Sequence, residues 1–162
     1  MKKLEITSKI TEYQSSAALG EAYANLCKQA LEVASKAYAP YSNFQVGAAL
    51  LLSNGEVITG NNQENAAYPS GLCAERVAIF YANASYPNES VEAIAITAIQ
   101  NGAQIPEPIS PCGSCRQVLA ETQFRYKNKM KVIMHAKNKT WIIDNSNDLL
   151  PLSFSQDDLA TK

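Results

Sequence analysis

Apolar residues recur at helical spacing from about Ser15 to Ala37, where Leu19, Tyr23, Cys27, Ala30, Leu31 and Ala34 punctuate a segment rich in Ala, Glu and Lys. Ala39-Pro40-Tyr41-Ser42 ends that pattern. Phe44 to Ser53 then reads as a buried strand, Asn54-Gly55 as a two-residue hairpin turn, and Glu56 to Asn61 as the return strand. A polar loop, Asn61 to Asn65, is followed by Pro69-Ser70-Gly71 and a helix over about Cys73 to Ala84. Val91 to Ile99 is a second buried, β-branched run. Pro106 and Pro108 break the chain before a proline-led helix from Pro111 to about Thr122. Strands over Lys131–Met134 and Thr140–Ile143 close the pattern, with a short helix near Ser155. This order predicts a central sheet with helices on both faces, an α/β fold.

Length and charge narrow the possibilities. A chain of 162 residues that is 46% hydrophobic can bury a sizeable core as one domain, 1–162. Fourteen basic against 15 acidic residues give a net charge of −1, without the basic excess that holding nucleic acid by its phosphates requires. The apolar runs, Val46 to Leu52 among them, are too short to span a bilayer, and no apolar stretch after Lys2-Lys3 is long enough for a signal peptide. The expectation is a soluble, cytoplasmic protein with neither a membrane nor a nucleic-acid partner. In such a compartment Cys27, Cys73, Cys112 and Cys115 are thiols rather than disulfides.

The chemistry gathers in two segments, Cys73-Ala74-Glu75-Arg76 and Pro111-Cys112-Gly113-Ser114-Cys115-Arg116. Each places a cysteine where a helix begins, and free N–H groups at a helix N-terminus favour thiolate over thiol. Cys112 and Cys115 lie one turn apart and can face one metal, to which Cys73 adds a third sulfur. Three protein ligands leave the fourth tetrahedral position of zinc open, as in catalytic sites. Glu75 is close enough to take a proton from zinc-bound water and deliver it to a substrate. Three thiolates over-neutralise Zn²⁺, and hydrogen bonds from Arg76 and Arg116 to the sulfurs would relieve that excess. Taken alone, the Cys-x-x-Cys pair reads as structural zinc or redox chemistry, and Cys73 as packing. Cys-Ala-Glu followed by Pro-Cys-x-x-Cys is the three-cysteine form of the zinc-deaminase signature.

On these residues the chain resembles the small homotetrameric cytidine deaminases. The likeness runs from about Ala37 to Leu159, through AYAPYSNFQVGAALLLSNGEVITGNNQENAAYPSGLCAERVAIF, SPCGSCRQVLAE and LLPLSFSQDDL. The resemblance implies a three-layer α/β/α sandwich around a mixed five-stranded sheet. It implies one Zn²⁺ per chain on Cys73, Cys112 and Cys115, with Glu75 as the catalytic proton shuttle. It puts Phe44 against the base, Asn62 and Glu64 on the ribose hydroxyls, and Tyr68 and Phe154 in a neighbouring subunit's active site. The reaction implied is hydrolytic deamination of free cytidine and 2′-deoxycytidine by zinc-bound hydroxide, a step of pyrimidine salvage. Residues 1–14 have no family counterpart and form an N-terminal extension of open role.

Plainer readings stand beside these. Phe44 on an apolar strand reads by itself as core, Asn62 and Glu64 as solvated loop residues, and Arg76 and Arg116 as helix-surface charges. Cys27 reads as a small core hydrophobe and His135 as a structural histidine. Competing functions separate on single features. A polynucleotide-editing deaminase conflicts with Glu64, because a carboxylate that accepts from a 3′-OH repels a phosphodiester at that oxygen. A zinc-stabilised interaction module lacks a fourth ligand. A thioredoxin-like redox protein leaves Cys73 and Glu75 without a role.

Overall fold

Strand β2 (Phe44–Leu52) is where the sheet and both helical layers meet. The computed structural model describes residues 1–159; residues 160–162, the last of the expected domain, lie outside the described residues. Period-two alternation sends Ala48, Leu50 and Leu52 to one face of the sheet, and Ala49 and Leu51 to the other. Its hairpin partner is β3 (Val57–Asn61). The turn holds three residues rather than the expected two: Leu52 N donates to Glu56 O, and only Gly55, at φ 86°, takes the left-handed conformation.

The remaining strands are β1 (Thr11–Tyr13), β4 (Val91–Gln100), β5 (Ala103–Gln104), β6 (Lys131–His135) and β7 (Thr140–Ile143). They complete one mixed sheet in the order β1-β7-β6-β4-β2-β3, with β5 folded onto β4. Among the described strands only β4 and β6 run parallel. The sheet therefore has seven strands, which corrects the expectation of five. The additions are β1, drawn from the N-terminal extension onto the edge of β7, and β5, a two-residue return through Asn101-Gly102, both at positive φ.

Helix α1 (Glu21–Ala34) covers one face, packing Leu26, Cys27 and Ala30 onto Ala49, Ala93, Ala95 and Ile133. It is shorter than the periodicity suggests, because Gly20 at φ 85° separates it from a 3-10 turn over Ser16–Leu19. The other face carries α2 (Ala74–Ser85) and α3 (Gly113–Tyr126), whose Ala78, Ile79 and Leu119 share a core with Leu50, Ile94 and Met134. A short α4 (Gln156–Leu159) follows. This is the expected three-layer arrangement.

Two glycines set the spacing of these layers. A Cβ on Gly47 would lie 2.0 Å from Ala30 O, and one on Gly60 would lie 2.7 Å from both Ala74 O and Ala78 N. Gly60 thus brings the first turns of α2 hard against β3. Among the described residues, no helix is long and apolar enough to cross a membrane.

Candidate active site and metal centre

The first turns of α2 and α3 converge, and the cysteines come with them. Cys73 occupies the N-cap of α2 and Cys112 the N-cap of α3, both with extended backbone. Neither side chain is spent on capping its helix, so both sulfurs are free to turn toward each other. Their Sγ atoms are 3.8 Å apart. Cys115, in the first turn of α3 and fully buried, completes a group of three sulfurs within 4.8 Å of one another.

The electrostatics of this cluster favour a bound cation. Hydrogen bonds from Cys115, Arg76 and Cys112 lower the Cys73 thiol to about 5, with the Arg76 charge adding to the effect. The same pairing with Cys73, together with burial, raises Cys115. Arg76 Nη2 stands 3.7 Å from Cys73 Sγ, while its Nε is buried without a partner. Three soft sulfur donors, one held as thiolate beside a guanidinium, fit one zinc ion per chain. Cys73 and Cys112 both line a cavity of about 590 Å³, from which a water or substrate would reach an ion held by the sulfurs.

Glu75 lines the same cavity from α2, with only 4% of its surface exposed. Burial raises its carboxyl above the ordinary range. The cavity is also lined by Phe44 at the start of β2, with Asn62 and Glu64 from the loop after β3. Asn62 spends its amide on β2: Oδ1 accepts from Val46 N at 2.7 Å, and Nδ2 donates to Phe44 O at 3.0 Å. Tyr68, 77% exposed, stands at the rim with its ring edge-on to Tyr41, centroids 6.2 Å apart.

Two anticipated residues stand elsewhere. Arg116 does not reach the sulfurs: Nε donates to Pro111 O at 2.8 Å and Nη1 to Leu149 O at 3.0 Å. The reason is geometric, because its side chain runs back along the loop that enters α3. It pins that loop to the Leu149 turn and corrects the expectation of a sulfur contact. Phe154, 61% exposed, does not line the cavity of its own chain; its carbonyl accepts from Gln117 Nε2 at 2.7 Å. His135 is also outside the cluster, its Nδ1 paired with Thr140 Oγ1 at 3.0 Å across the β6–β7 hairpin.

Cavity residues that the sequence did not single out include Ile109 and Ser110, on the loop into α3, and Ser42, in the turn before β2. The only signal for them was loop composition, Pro106-x-Pro108 and Pro40-Tyr41-Ser42-Asn43.

Comparison with known proteins gives a consistent picture. A family model described as the cytidine and deoxycytidylate deaminase zinc-binding region matches residues 21–135. The cytidine deaminase of Sporosarcina psychrophila is 42% identical over 126 residues, spanning 77% of this chain and 85% of that protein. That of Halalkalibacterium halodurans is 48% identical over 96 residues, covering 59% and 68%. The crystal structure of cytidine deaminase from Burkholderia pseudomallei superposes with a TM-score of 0.66 at 38% identity, over 80% of this chain and 97% of that one.

Proposed function

This chain belongs to the cytidine and deoxycytidylate deaminase family, and we propose that it hydrolyses free cytidine and 2′-deoxycytidine to the uracil nucleosides and ammonia. One observation carries the proposal: three cysteine sulfurs lie within 4.8 Å of one another, and two of these residues, Cys73 and Cys112, line a cavity that also holds a buried carboxyl, Glu75. Cys73, Cys112 and Cys115 would hold the zinc, which when bound supplies Lewis acidity that makes water a nucleophile near neutral pH.

The chain's own residues account for the rest. Glu75 takes a proton from the attacking water and delivers it to N3 of the pyrimidine as the new C–O bond forms at C4. A proton returned through Glu75 to the exocyclic nitrogen lets ammonia leave as the C4 carbonyl forms. A carboxyl raised by burial suits this exchange, because it holds a proton more readily than an exposed carboxylate and is a stronger base toward water. Arg76 offsets sulfur charge beside Cys73. Phe44 packs against the base, Glu64 accepts from the 3′-OH of the sugar, and Asn62 offers the sugar its second amide hydrogen while keeping Phe44 in place.

The same reading makes the protein a single-domain homotetramer, 1–162, acting in the cytoplasm in pyrimidine salvage. The exposure of Tyr68 and Phe154 supports subunits that complete one another's pockets. Purified protein assayed by ultraviolet absorbance with cytidine, deoxycytidine, CMP and cytosine, alongside metal analysis, tests the proposal. The expected result is one zinc per chain with turnover of the two nucleosides. Turnover of CMP or free cytosine in preference to them overturns it.

A further inference from the structure

Glu64 meets the turn before β2 with both carboxylate oxygens. Oε2 accepts from the backbone N–H of Tyr41 at 2.8 Å and of Ser42 at 3.3 Å. Oε1 accepts from Ser42 Oγ at 2.5 Å. Successive backbone N–H groups aimed at one anion form a concave nest, and here the turn's shape depends on Asn43. Asn43 adopts φ 52°, a conformation asparagine tolerates better than most residues, and its N–H donates to Ala39 O at 3.1 Å. Ser42 Oγ also accepts from Phe44 N at 3.1 Å. A single hydroxyl therefore ties Glu64, 22 positions away in sequence, to the first residue of β2.

The arithmetic of the carboxylate is informative. Its two oxygens offer about four acceptor positions. Three are filled by the turn, which fixes the plane of the group and leaves one position on Oε1. We propose that Ser42 is a positioning residue that locks the Glu64 carboxylate to receive one sugar hydroxyl, and so sets the preference for nucleosides carrying a 3′-OH. This rests on the proposed reading in which Glu64 accepts from that hydroxyl.

The test compares cytidine with 3′-deoxycytidine on the wild type, Ser42→Ala and Ser42→Thr. Wild type should favour cytidine by roughly tenfold or more in kcat/KM, since a ligand hydrogen bond to a charged group is lost without the 3′-OH. Equal use of the two by wild type would remove the sugar-reading role of Glu64, the premise, whatever Ser42 does. Given wild-type preference, Ser42→Ala should raise KM for cytidine about five- to twentyfold with kcat within about twofold, and move KM for 3′-deoxycytidine much less. Ser42→Thr, which keeps the hydroxyl, should restore most of the preference. A cytidine to 3′-deoxycytidine ratio unchanged in Ser42→Ala overturns the proposal, because loosening of the turn alone affects both nucleosides alike. Should Ser42→Ala fail to fold, Ser42→Gly serves the same comparison, since it also lacks the hydroxyl.

Discussion

Glu75 lines the same cavity as Cys73 and Cys112, yet its loss and that of the cysteines should look different in solution. Glu75→Gln keeps the size and hydrogen bonding of the side chain but cannot carry a proton. Zinc should remain at one per chain while kcat falls by about 10²–10⁴-fold, the usual worth of a general acid–base group. Cys73→Ala, Cys112→Ala or Cys115→Ala should instead lower zinc content itself, because each removes one of three sulfurs. Zinc content unchanged in all three cysteine variants, measured by metal analysis, would place the metal elsewhere. His135 offers a separate test through pH. Burial lowers its pKa below the ordinary value of about 6.5, so the folded state takes up its proton later than the unfolded chain does. Its contribution to stability is therefore complete above about pH 6.5 and is lost as pH falls toward the folded-state value. His135→Gln should flatten that part of the stability profile. Parallel thermal-midpoint curves for wild type and variant between pH 8 and 5 would exclude the effect.

Among the elements, α2 carries Cys73 and Glu75, and its place depends on an atom that Gly60 lacks. Gly60→Ala forces a methyl against Ala74 O and Ala78 N, backbone atoms that cannot swing aside. Overpacking of this kind costs about 1–3 kcal/mol, or roughly 2–10 °C in Tm for a chain of this size. Because the displaced turn holds Cys73 and Glu75, the proposed zinc ligand and proton carrier, zinc affinity and kcat should fall together with Tm. A variant with normal zinc binding and kcat would mean that α2 is held by its other contacts. The close approach itself was not legible in the sequence, where Gly60 reads as an ordinary strand glycine. The elements with long, strongly patterned stretches were legible: β2, β4, α2 and α3 lie where periodicity and turn residues put them. The missed strands are short. Thr11–Tyr13 is too brief for alternation to register, and it pairs with β7 from 129 positions away at Glu12 and Trp141, whose indole N–H donates to the Glu12 carboxylate at 2.7 Å. The β5 return did carry a signal, since Asn101-Gly102 repeats the dipeptide at Asn54-Gly55. Its proximity to Pro106 and Pro108 made it read as loop. The sulfur site was legible because its three ligands and its carboxyl sit at helix starts, where local sequence dictates geometry. Arg116 was not, because the Leu149 carbonyl it meets is 33 residues downstream.

At the scale of the whole molecule, one chain leaves its cavity incompletely enclosed, with Tyr68 at the rim and Phe154 outside it. Ligand sites normally bury most of a small ligand's surface, and apolar rings left in water gain from covering one another. A tetramer in which Phe154 closes a neighbour's pocket satisfies both demands, and mixing subunits tests it. Phe154→Ala homo-oligomers should keep their zinc but bind cytidine weakly, with KM raised about tenfold or more for the loss of a buried aromatic contact. Glu75→Gln homo-oligomers should bind cytidine and scarcely turn it over. In mixed oligomers, a Phe154→Ala chain retains Glu75 and can receive Phe154 from a Glu75→Gln neighbour. Such pockets are complete, so activity at low cytidine concentration should exceed that of either parent at the same total protein. Subunit exchange is verified independently by mass spectrometry of the mixture. Exchange without recovery of activity would show that each chain closes its own pocket, with the loop around Phe154 folding back onto the cavity of the chain that carries it.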